Sequence, residues 1–113
     1  MDQVNIYKSF VKEVVLSVAA MTPSDEFSET QSILDDERGH YVLIDIGWNK
    51  KKRTYLPFLH IDVKSDGKVW IQHDGTDIII AEQLAQKGIP KSEIVLGFRA
   101  PHVRPMMEDY AVE

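Results

Sequence analysis

Hydrophobic positions near the start of the chain recur at helical spacing. Val4, Tyr7, Val11, Val14, Val18 and Met21 lie three or four residues apart, and Ile6, Phe10 and Val15 widen the stripe. Valine favours strands, but a helical period held over residues 2–21 outweighs that preference. The pattern predicts one amphipathic helix with Asp2 at its positive end. Thr22-Pro23-Ser24 ends it, because the residue before a proline avoids helical backbone. So wide an apolar face must be buried on something.

Beyond the helix the period shortens to two. Strand-like runs cover 29–35, 40–48, 53–64 and 68–73, divided by Asp36-Glu37-Arg38-Gly39, by Asn49 to Lys52 and by Ser65-Asp66-Gly67. Three short turns in succession make an antiparallel meander, and Asp66-Gly67 is a strong hairpin signal. With Lys50 and Lys51 at the tip, Val42 faces Leu59 and Leu43 faces Phe58. One sheet face then holds Val42, Ile44, Ile46, Leu59 and Ile61, and the first helix is expected to cover it. A three-residue loop with Gly67 left-handed adds Ile71 and Val69 to that face, opposite Ile61 and Val63. A two-residue Asp66-Gly67 turn would align Val63 with Trp70 instead; the first keeps the apolar set together and is preferred.

The opposite face is expected to carry Tyr41, Leu43, Phe58 and Trp70 beside Asp45, His60 and Asp62. A face half apolar and half polar is seldom left in water. Its four apolar residues are therefore the expected contact with a second helix, the C-terminal segment or another subunit, and a homo-oligomer is expected.

The segment HDGTD at 73–77 resembles a metal or acid/base cluster until its sequel is read. Ile80 and Leu84, and Ala81 and Ala85, lie four apart, predicting a short helix from about Asp77 to Lys87. Thr76 suits its N-cap. Gly88 suits a left-handed C′ position, with Ile89 touching Leu84 and Pro90 blocking continuation. Ile94 to Phe98 are expected to add a strand. The fold class is α+β: an N-terminal helix on an antiparallel β-meander of about four strands, then a short helix and a C-terminal strand or extended segment.

The 113 residues are expected to form a single domain, 1–113, with 43% hydrophobic and 27% charged residues. A net charge of −5 argues against a general nucleic-acid binder, though not against a local basic patch. There is no cysteine, which removes disulfides and thiolate metal sites. No signal pattern or membrane-length apolar run appears, so a soluble, cytoplasmic protein is expected.

Candidate chemistry is sparse. His60, Asp62, His73 and Asp74 offer two imidazoles and two carboxylates on neighbouring strands, the donor types of a metal-dependent hydrolase. The preferred loop, however, sends His73 to the face opposite His60. Hydrogen-bonded or surface histidines are the favoured reading, with no metal, no cofactor and no catalytic residue. Ser17, Ser24 and Ser92 have no base nearby in sequence, and Asp35, Asp36 and Glu37 read as a charged turn. WNKKKRTY places Lys50, Lys51, Lys52 and Arg53 at a hairpin tip between Trp48 and Tyr55. Such a tip can grip phosphate and stack a base, or serve only as a solvated turn; the negative net charge favours the turn. In FRAPHVRP, Arg99, His102 and Arg104 either dock an acidic partner or cap preceding elements.

The order KVWIQ, DGTD, IAEQL, GIPKSEIVLGF and then Pro101-x-x-Arg104, preceded by ETQSILDDERGHYVLIDIGW, resembles the XisI family of cyanobacterial fdxN-element excision controlling factors. The likeness runs from the N-terminal helix to about Arg104. The tail PMMEDYAVE departs from the family pattern, and only Tyr110-Ala111 echoes it. The resemblance implies an accessory role in excising a DNA element during heterocyst development, beside a site-specific recombinase and an XisH-type companion. It supplies no catalytic residue.

Overall fold

A computed structural model describes residues 2–113 of the protein. The first helix, α1 (Gln3–Met21), begins where the Asp2 carboxylate accepts from the Val4 N–H at 3.0 Å. It ends at Thr22, before Pro23. Tyr7, Val11, Val14, Val15 and Val18 form its buried face, as their spacing requires.

Four strands follow, β1 (Ser28–Asp35), β2 (His40–Asn49), β3 (Lys52–Val63) and β4 (Val69–Asp74), each antiparallel to the next. The second helix, α2 (Ile80–Lys87), carries the chain to β5 (Ile94–Leu96), which pairs parallel to β4. The sheet order is therefore the chain order, β1 to β5, and the sheet is mixed. A parallel neighbour needs a crossover, which α2 supplies. Helix α1 lies across β1, β2 and β3 and beside α2. Both helices share one hydrophobic core with a single face of the sheet.

The β3–β4 loop has the three-residue form. Ile61 faces Ile71, Val63 faces Val69, and Gly67 has φ 91°. The β2–β3 ladder keeps the expected register from its tip as far as Ile44 opposite Pro57. There Phe58 enters as an extra residue, so Leu43 faces Leu59 and Val42 faces His60. A bulge of this kind turns two successive side chains to one side, and Phe58 and Leu59 are both buried in the core.

That one residue reverses the expected faces of β2, while Leu59, Ile61, Val69 and Ile71 keep the side expected of them. Tyr41 and Leu43, expected on the open face, are 0% exposed under the helices, with Phe58 beside them. Val42, Ile44 and Ile46, expected in the core, lie on the other side by strand alternation.

Helix α2 also starts later than its periodicity suggests. Thr76 is not its cap; Ile79 holds the N-cap position without a side-chain bond. Instead Asp74 accepts from Ile80 N–H at 3.2 Å through Oδ2 and from Thr76 N–H at 3.0 Å through Oδ1. A carboxylate spanning the bend replaces a hydroxyl next to the helix. The far end is as expected: Gly88 has φ 120°, its N–H donates to Ala85 O, and Ile89 N–H donates to Leu84 O. That pair of bonds is a Schellman motif.

Candidate functional site

Strand alternation assembles the face away from the helices. His40, Val42, Ile44, Ile46 and Trp48 come from β2, with Arg53, Tyr55, Pro57, His60 and Asp62 from β3. Ile33 is opposite Val42 on β1, and Trp70 is opposite Asp62 on β4. Ile33, Trp48 and Tyr55 are 46%, 53% and 65% exposed. Both helices pack on the other side, so this face is the broad open surface of the sheet.

Its centre is polar. Asp62 is 6% exposed, the one buried charged residue among those described. His40 sits directly opposite it across the β2–β3 ladder, and His60 precedes it by two residues on the same strand face. His40 Nδ1 lies 2.8 Å and His60 Nε2 2.9 Å from the same Asp62 Oδ1. Gln72 Nε2 donates to Oδ2 at 3.1 Å. Burial pushes the Asp62 carboxyl up, but the bonds from His40, His60 and Gln72 outweigh it and hold it below the ordinary range. The anion is thus held in place by three neighbours from three strands.

His73, expected on the face opposite His60, is directly across the ladder from it. A second irregularity explains this: the register shifts between His60 and Ile61, leaving Gln72 as the extra residue. Gln72 takes the place beside Asp62, and His73 Nε2 lies close against Gly75. Among the described residues the converging set is His40, His60 and Asp62, without His73. Asp74 is spent on the bend before α2. His40 escaped notice because an unbulged ladder sets it opposite Ile61, on the helix side. The signal was faint, because Phe58-Leu59 closes the unbroken apolar run Tyr55 to Leu59, in which alternation fixes no register.

The basic tip is exposed at all four positions, Lys50 to Arg53. Lys50 adopts φ 57°, and the Arg53 guanidinium stacks 5.4 Å from the Trp48 ring centroid. Asp25, Glu26 and Glu29 line the same depression as Trp48 and Arg53. Arg104 has a structural task. Its Nε donates to Arg99 O at 3.1 Å and its Nη2 to Gly97 O at 3.4 Å, with the guanidinium 5.0 Å above Trp70. Lys64 lies 5.8 Å from the same ring, so Trp70 is flanked by two cations. Arg99 and His102 are exposed.

No helix among the described residues is long and apolar enough to cross a membrane. No curated protein matches the chain. A crystal structure of a XisI-like protein from Anabaena variabilis ATCC 29413 is 40% identical, with a TM-score of 0.91 over 97% of this chain and 99% of that one. A second, of fdxN element excision controlling factor XisI from the same organism, is 27% identical, with a TM-score of 0.88 over 99% and 100%. The family model described as XisI protein matches residues 1–112. The helix-covered mixed sheet and a match of that extent lead to one assignment: the chain belongs to the XisI family.

Proposed function

We propose that this chain is a non-catalytic controlling factor in the excision of a DNA element, acting in the cytoplasm through protein contacts. The observation that carries this reading is the end-to-end similarity to the Anabaena variabilis protein described as an excision controlling factor. The open sheet face supports the choice of protein contacts. Trp48, Tyr55 and Ile33 give it exposed apolar anchors around a satisfied polar centre, the mixture found at protein interfaces, where Trp and Tyr are enriched. The net charge of −5 works against DNA as the primary ligand.

The partner proposed is an XisH-type, nuclease-like companion, acting with a site-specific recombinase. The same face also suits a second copy of the chain. The test is co-purification of tagged protein with the XisH-type companion, using wild type and the double variant Ile33→Lys, Tyr55→Lys. Wild type should retain the companion, and the double variant should lose it with an unchanged circular dichroism spectrum. Retention that ignores the double change would move the contact off this face, and no retention by wild type would remove the partner. Light scattering at micromolar concentration checks self-association: a monomer mass removes that part.

A further inference from the structure

Three side chains on the open face converge on one point. One ring nitrogen each of His40 and His60 and a carboxylate oxygen of Asp62 all lie within 4.8 Å of one another. A single Asp–His hydrogen bond is a common way to satisfy a buried carboxylate. Two imidazoles from different strands aimed at the same Oδ1, at 2.8 and 2.9 Å, go beyond that need. The spacing is also close to that of neighbouring ligands on one ion. With metal–donor distances of about 2.1 Å, neighbouring ligands stand about 3.4 Å apart around a tetrahedral ion and about 3.0 Å apart at octahedral right angles.

We propose that His40, His60 and Asp62 form a binding site for one divalent first-row transition-metal ion. Two imidazole nitrogens and one carboxylate suit zinc, nickel or cobalt, whereas magnesium and calcium take oxygen donors. The site is built on rigid elements, since all three ligands are cross-strand or same-strand neighbours on β2 and β3. Gln72 fixes the carboxylate from behind: its amide holds Oδ2 at 3.1 Å and leaves Oδ1 facing the imidazoles. Partners behind a ligand orient it and raise affinity. Access is open, because the His40 and His60 side chains are 49% and 37% exposed. An ion arriving from solvent takes the place of the imidazole protons pointing at Oδ1. Each neutral ring then carries its one proton on the nitrogen away from Asp62, any second proton passes to solvent, and water fills the ion's other positions. The site lies at the polar centre of the face proposed above as the partner contact, but its test needs no partner, and no reaction is assigned to it.

The chain contains four histidines, His40, His60, His73 and His102, which gives the test an internal control. Wild-type protein is titrated with zinc chloride and followed by calorimetry and by imidazole nitrogen NMR. One equivalent should bind, shifting the His40 and His60 resonances and leaving those of His73 and His102 in place. His40→Ala should weaken binding by more than about 100-fold, beyond the loss seen when only a ligand's supporting partner is removed. His73→Ala should leave binding unchanged. Wild type that takes up no zinc at millimolar concentration overturns the proposal. So does zinc that perturbs all four histidines alike, or affinity that survives His40→Ala.

Discussion

The hydroxyl of Tyr41, a side chain with no exposed surface, donates to Asp36 Oδ1 at 2.8 Å. Asp36 belongs to the charged turn between β1 and β2 and also pairs with Lys12 of α1. The turn thus holds the polar end of a core tyrosine and ties the hairpin to the helix. Lys12 first, then Tyr41, hold the Asp36 carboxyl below its ordinary 3.8 against a smaller effect of burial. A folded value below the unfolded one means that the contribution is complete above the ordinary carboxylate range. It is lost as pH falls through the folded value. Tyr41→Phe should cost about 1 kcal/mol near neutral pH, and Asp36→Ala roughly 1–3 kcal/mol because it leaves the buried hydroxyl unpaired. Urea melts over a falling pH series check both. Tyr41→Phe should show a shallower loss in acid than wild type, and identical pH profiles would mean the pair does not form in solution.

Asp74 makes a second prediction. Its two oxygens bond Ile80 N–H, Thr76 N–H and the Thr76 hydroxyl across the bend into α2. Asp74→Ala removes all three and should destabilise by about 1–2 kcal/mol, the upper half of the range for losing a helix cap. Thr76→Ala removes only the hydroxyl's bonds to Asp74 and Ile78 O and should cost less. Equal losses in the two melts would return the capping role to Thr76.

Two glycines with positive φ separate backbone strain from steric conflict. At Gly88, φ 120°, an added methyl meets only the edge of the Phe10 ring at 3.6 Å. Gly88→Ala should cost roughly 1 kcal/mol, for backbone strain alone. At Gly39, φ 77°, the methyl would stand 2.3 Å from Val63 O, while Gly39 O accepts from Val63 N–H at 2.8 Å. Gly39→Ala should cost roughly 2–4 kcal/mol, strain and collision together. Denaturant midpoints in the reverse order would contradict these turn geometries.

The element pattern was legible in the sequence because each element carries its own periodic or turn signal. The helical stripe of α1, the left-handed Gly67 and the Gly88 cap all depend on residues close together in the chain. The inner and outer faces of β2 were not legible, because one unpaired residue at Phe58 changes which β2 side chains share a face with Leu59 and Ile61. Tyr41 and Leu43 therefore moved from the expected partner surface into the core, and His40 moved to Asp62. Ladder geometry of this kind depends on what the helix can cover, which local pattern does not encode. The parallel pairing of β5 was likewise hidden, since three buried residues, Ile94 to Leu96, carry no sign of strand direction.

The basic tip gives the last prediction. Lys50, Lys51, Lys52 and Arg53 are exposed, and the Arg53 guanidinium is engaged with Trp48 in the depression that Asp25, Glu26 and Glu29 also line. A solvated turn of this kind should bind duplex DNA weakly and without sequence preference. With four cations at most to neutralise phosphates, the salt dependence of log K should be no steeper than about −4. Changing all four residues to Gln should alter stability by about 0.5 kcal/mol or less, as for other surface changes. Loss of the exposed Arg53–Trp48 contact, worth about 0.5 kcal/mol, accounts for most of that change. Co-purification with the XisH-type companion should survive the quadruple change. Gel shifts at several salt concentrations decide the matter. Tight, sequence-selective binding at physiological salt, abolished by the quadruple change, would make the tip a reader of DNA. The protein-contact role would then give way to direct recognition.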